Sequence, residues 1–126
     1  MTGVVHFEIH ATDPDALGAF YGEVFGWTVR PIPQLDYWIL EVGEGGGIAG
    51  GMVRRRGPRS AEDQGVNAFV CSIAVPSAEE AHARALAAGA VTALPLQAIP
   101  GVGYQVYIKD PDGNLVGLHQ ADTSAH

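Results

Sequence analysis

From Val4 to Ala11 apolar and polar residues alternate, the period of a strand with one buried face. Phe7 and Ile9 share one side of it, and His6, Glu8 and His10 share the other. Asp13-Pro14-Asp15 follows, where the Asp13 carboxylate suits a helix N-cap and Pro14, lacking an N–H, suits the first helical position. The spacing of Leu17, Phe20, Tyr21, Val24 and Phe25 predicts a helix over 14–25, stopped by Gly26. Trp27–Arg30, Tyr37–Val42 and Ile48–Arg55 read as three strands, with the glycines at 43, 45, 46 and 47 turning the chain between the last two.

The same order then returns. Asn67–Val75 reads as a strand, Ser77-Ala78-Glu79-Glu80 as a capping box, and an alanine-rich helix runs to Ala88 before Gly89. Strands at Val91–Gln97, Tyr104–Lys109 and Leu115–Gln120 complete the repeat, the last two joined by the tight turn Asp110-Pro111-Asp112-Gly113-Asn114. Strand, helix and three strands thus occur twice, about 64 residues apart, as modules of about 3–56 and 66–121 within a single domain of 1–126. The fold class is α+β. One helix on a four-stranded sheet buries little by itself, so the modules are expected to pair.

Composition narrows the function classes. An apolar fraction of 47% beside 17% charge excludes a disordered chain. A net charge of −7 opposes nucleic-acid binding, which needs a clustered basic face. Arg54, Arg55, Arg56 and Arg59 are a local exception, read as a solvated loop rather than a grip for an anion. No run of about 18 apolar residues and no signal-peptide pattern is present, so no membrane association is expected and the address expected is cytoplasmic. The single Cys71 has no partner for an internal disulfide and is expected to be a small buried hydrophobe. His82 and Arg84 are expected to face water, and His126 to lie in a fraying tail.

The His6, Glu8, His10 stripe asks for a reason. Phe7 and Ile9 belong against a helix, where apolar burial is worth about 25 cal/mol per Å². Three ionisable groups in a dry core would each cost several kcal/mol, so their face is expected to line a wet cavity. Tyr37 and Trp38 are neighbours on one strand and point to opposite faces, and whichever faces inward offers a flat ligand-binding wall. Tyr104 and Tyr107 repeat that situation. Gly101-Val102-Gly103 leads into a strand, not a helix, and reads as a turn instead of a phosphate loop.

Taken together, HFEIHATDPDALGAFYGEVFGW near the start and GVGYQVYIKDPDGNLVGLHQ near the end resemble the vicinal-oxygen-chelate superfamily, which includes glyoxalase I, bleomycin-resistance proteins and extradiol dioxygenases. The resemblance covers both repeats. It implies that the two βαβββ modules form an open, U-shaped barrel around a small-ligand cavity, often in a homodimer and often with a divalent metal. Metal-dependent relatives take one ligand from the first and last strands of each module. His6 falls on the first such position, but Val70 and Gly117 stand at two others, and Ile48–Val53, where the remaining ligand would lie, has no His, Asp or Glu. By the pattern of the family the metal centre is degenerate, and no cofactor is expected.

A rebuilt site is the alternative. Cα atoms of His6 and His10 would lie about 13 Å apart along a strand, too far to share one ion at about 2.0 Å. His6, Glu8 and His119 form the set that could hold one. Two functional readings follow. In the first the chain is a metal-independent small-molecule-binding protein that takes a hydrophobic or aromatic metabolite, with His6, Glu8, His10, Tyr37, Trp38, Tyr104 and His119 as candidate ligand contacts. In the second it is a lyase, isomerase or dioxygenase-type enzyme for a substrate with vicinal oxygens. That enzyme would use the rebuilt metal, or Glu8 as a base raised by burial beside His6.

Overall fold

The computed structural model describes residues 4–62, 64 and 69–126, and the chain divides into two compact units, Met1–Arg59 and Ser60–His126. In the first unit β1 (Phe7–Ala11), α1 (Pro14–Phe25), β2 (Thr28–Ile32), β3 (Tyr37–Glu41) and β4 (Gly50–Arg54) follow in that order. The sheet runs β1-β4-β3-β2, with β1 parallel to β4 and the other pairs antiparallel. The second unit repeats the plan with β5 (Ser72–Ala74), α2 (Ala78–Ala87), β6 (Val91–Ile99), β7 (Gly103–Lys109) and β8 (Leu115–Ala121). Its sheet runs β5-β8-β7-β6, with β5 parallel to β8. The fold is therefore α+β, two βαβββ modules, as the alternation and capping signals predict.

The helix boundaries follow their capping chemistry. Asp13 Oδ1 accepts from the Ala16 amide and Pro14 opens α1, while Gly26 takes the left-handed φ of 75° that closes it. Ser77 Oγ accepts from the Glu80 amide at the start of α2. Leu17, Phe20, Tyr21 and Val24 of α1 are buried, as are Trp38, Leu40 and Met52 of the sheet. Just beyond the helix Trp27 stacks on Tyr21 at 5.2 Å and 14°, with Phe7 and Phe25 at 5.5 and 5.6 Å from it. Such aromatic pairs add about 0.5–1.5 kcal/mol each beyond area burial. In the second unit Ala78, Ala81 and Ala85 give α2 a smooth face, and Val106, Ile108, Val116 and Leu118 of the strands are buried.

Several expectations need correction. β1 begins at Phe7 instead of Val4: its pairing with β4 starts at Phe7–Gly50, and Val4 and Val5 are exposed. Trp27 belongs to the aromatic stack and β2 starts one residue later and runs on to Ile32. A 3-10 turn, Pro33–Leu35, was not expected; it ends at Asp36, whose φ of 50° is left-handed. The strand expected over 67–75 is Ser72–Ala74, its pairing with β8 covering those three residues alone; Asn67 and Ala68 lie outside the described residues. Cys71 is exposed, because it precedes that short strand. His82 is half-buried and bonds Thr92 Oγ1 of β6 at 2.7 Å instead of facing water. The C-terminal tail is tied down, with Ala125 buried and His126 Nδ1 donating to the Ser124 carbonyl at 3.0 Å.

Candidate functional site

In each unit the helix covers one face of the sheet, and strand register sets which residues share the face it leaves. In the first unit Glu8 pairs with Gly51 and His10 with Val53, while Tyr37 and Ile39 of β3 oppose Val53 and Gly51. Those six residues therefore share the face away from α1. Phe7, Trp38, Leu40 and Met52 take the other. The stripe thus lies where the alternation puts it, and Tyr37, not Trp38, is the aromatic residue beside it. Trp38 is buried on the helix side under Arg54, whose guanidinium sits 5.5 Å from its ring and grips Asp36 at 3.2 Å with two nitrogens.

The open face is knitted by hydrogen bonds. The Tyr37 hydroxyl lies 3.0 Å from His6 Nε2, and His10 Nε2 lies 3.2 Å from Glu8 Oε1. Burial, and secondly the negative charge of Glu8, hold the Tyr37 hydroxyl above its ordinary value, so it stays protonated beside His6. Glu8 is not buried. Its side chain is 45% exposed and that of His10 49%, so the pair is a screened surface contact. The burial that would tune Glu8 as a base is not present in its own unit.

Gly51 is the floor of this face. A Cβ there would overlap the Tyr37 hydroxyl and sit 2.8 Å from its ring carbon Cε2. A strand glycine often marks such a close approach. The preceding Gly50 does the same on the helix side for the Phe7 ring.

The second unit builds a similar face from different residues. Ser72 pairs with Gly117, Gly117 with Tyr107, and His119 with Gln105. Gln105 bridges its neighbours: Nε2 donates to Ser72 Oγ at 2.9 Å and Oε1 lies 2.7 Å from His119 Nδ1. A Cβ on Gly117 would overlap Ser72 Oγ and stand 2.6 Å from Gln105 Nε2 and 3.0 Å from Tyr107 Cε1. Tyr104 pairs with Gln120, whose Oε1 accepts from the first amide of α2, so Tyr104 belongs to the helix side. His119 is accordingly brought together with Ser72, Gln105 and Tyr107, and Tyr104 is not. Gln105 and Ser72 were missed by sequence reasoning. The available signal was Gln105, a polar residue within an apolar strand opposite a histidine.

Among the described residues no three His, Cys, Asp or Glu converge as an ion would need. Of the set His6, Glu8 and His119, the first two lie in one unit and His119 in the other, and each has a side-chain partner within its own unit. Nor is any helix among the described residues long and apolar enough to cross a membrane.

Residues 6–119 match the family model of the glyoxalase-like domain. No curated protein sequence matches the chain. Among solved structures the chain is similar to a glyoxalase/bleomycin resistance protein/dioxygenase family enzyme from Burkholderia phytofirmans PsJN, with 19% identity over 94% of this chain and 98% of that one and a TM-score of 0.70. It is similar to the fosfomycin resistance protein FosX from Listeria monocytogenes, with 18% identity over 97% and 95% and a TM-score of 0.72. It is also similar to lactoylglutathione lyase from Agrobacterium tumefaciens, with 19% identity over 95% and 94% and a TM-score of 0.67. At these identities the likeness is one of fold.

Proposed function

The chain belongs to the glyoxalase-like domain family, and from that premise we propose that it is a metal-independent small-molecule-binding protein whose ligand is a hydrophobic or aromatic metabolite. The observation that carries this reading is the pair of glycines. Gly51 lies in the segment where the family resemblance calls for a ligand, and Gly117 stands where it calls for glutamate. The space above the first is filled by Tyr37, and above the second by Ser72, Gln105 and Tyr107. The side chains there are phenol, hydroxyl and amide, poor donors for a divalent ion when protonated, and Tyr37 is taken up by His6 and Ser72 by Gln105. The residues present do not fit a metal.

What they fit is a neutral ligand held by shape and hydrogen bonds. Tyr37 and Ile39 offer an apolar surface, and Glu8, His6 and His10 offer polar edges around it. In the second reading, an enzyme for a substrate with vicinal oxygens, Glu8 takes the proton without the tuning that burial would give; its open position 3.2 Å from His10, accessible to a substrate, favours it. A homodimer goes with either reading and is supported by the exposed Val91, Leu94, Leu96 and Ile99 along edge strand β6.

Elemental analysis of chain purified without chelator, paired with native mass spectrometry, tests the proposal. Sub-stoichiometric metal and a co-purifying small organic mass are expected. One equivalent of a transition metal overturns it in favour of the enzyme.

A further inference from the structure

The second unit carries polar groups that the stripe does not involve. An amide oxygen only accepts, so His119 Nδ1, 2.7 Å from Gln105 Oε1, must be the ring nitrogen that bears the proton. The opposite end of the same amide donates to Ser72 Oγ at 2.9 Å, so Gln105 joins the two side chains. In the neutral ring Nε2 is then the nitrogen with the lone pair; the ring is half-buried, and Nε2 has no hydrogen-bond partner among the described residues. Gly117 makes the arrangement possible, since a side chain there would collide with both Ser72 and Gln105. The edge of Tyr107 borders the same glycine.

We propose that Ser72, Gln105 and His119 form a hydrogen-bonded relay in which Gln105 is a positioning residue, holding His119 as its Nδ1–H tautomer so that Nε2 accepts a hydrogen bond from the hydroxyl of a phenolic ligand lying beside Tyr107. The inference rests on the binding reading above and names the ligand class for this face. The partner selects it: the Gln105 amide carries no charge, so the contact at Nδ1 is no ion pair and Nε2 offers its lone pair to a neutral hydroxyl. The aromatic edge of Tyr107 selects a phenol over an aliphatic alcohol, because ring pairs gain from edge and offset contacts.

Long-range proton–nitrogen correlation spectra of the full ¹⁵N-labelled chain at about pH 8, where imidazoles are neutral, test this, with His119→Gln used to assign the resonances. Wild type is expected to have a protonated Nδ1 and a bare Nε2 at His119. Gln105→Ala should release the ring to the Nε2–H form that unconstrained imidazole prefers, and Ser72→Ala should keep the Nδ1–H form. Phenol itself, added stepwise, should move the Nε2 resonance in wild type and leave it in place in Gln105→Ala. A wild-type Nε2–H tautomer overturns the relay, and an Nε2 unmoved by phenol overturns the ligand class. Neither result touches the reading of the Glu8 face, which the Glu8→Gln variant tests separately.

Discussion

The hydroxyl of Tyr37 occupies the place that a side chain on Gly51 would take. These two residues meet because β3 and β4 run antiparallel with Tyr37 opposite Val53, two positions from Gly51 on the same face. One consequence is energetic. Gly51→Ala should displace the Tyr37 ring, break its bond to His6 and cost about 1–3 kcal/mol as overpacking. Gly117→Ala should cost a similar amount through Ser72 and Gln105. Gly57→Ala, where a Cβ meets nothing within 4 Å, should stay within about 0.5 kcal/mol of wild type. Urea melts of the three variants check the ranking.

Glu8 and Phe7 are adjacent and should behave oppositely. Glu8→Gln keeps the shape of a half-exposed side chain, so stability should change by less than about 0.5 kcal/mol while affinity for the co-purified small molecule falls. Phe7→Ala should cost about 2–3 kcal/mol, below the about 3–5 of a fully buried ring because Phe7 is only half-buried over Gly50. Denaturant melts beside a binding assay decide both.

Metal addition should do little. A ligand present at 100 times its dissociation constant stabilises by about 2.7 kcal/mol, several degrees of melting temperature for a domain of this size. Modest excesses of Zn²⁺, Ni²⁺, Mn²⁺ or Fe²⁺ should leave the melting temperature nearly unchanged. A rise that vanishes in His6→Ala would show a rebuilt site.

Tyr37 should titrate late. Its hydroxyl is raised in the folded protein by burial and by Glu8, so above the ordinary tyrosine value near 10 the unfolded chain loses this proton first. The stabilising contribution is whole below that value and is lost as pH rises toward the folded one. Ultraviolet absorbance against pH should show a tyrosinate step above the ordinary value that is absent in Tyr37→Phe. The stability loss on raising pH past about 10 should be smaller in that variant.

Most of the fold was legible because its signals are local. Asp13, Pro14 and Gly26 bound α1 by backbone chemistry that needs no tertiary partner, and the alternation in β1 separates Glu8 from Phe7 by period alone. Strand ends were less legible, since β1 and β5 extend only as far as their pairing with β4 and β8 does. The site was legible in half. Parity placed His6, Glu8 and His10 on one face, but it could not say which of Tyr37 and Trp38 joined them, because that depends on the register between β3 and β4. The relay from Ser72 through Gln105 to His119 links three strands, and no single stretch of sequence spells it.

The chain's tryptophans sit unevenly. Both of them, Trp27 in the aromatic stack and Trp38 beneath Arg54, fall in the first unit. Intrinsic tryptophan emission therefore reports on one half of the molecule, while far-ultraviolet circular dichroism averages over both helices. Melting curves from the two signals that coincide would show one cooperative transition. Curves that separate would give each half its own stability, read without adding a label.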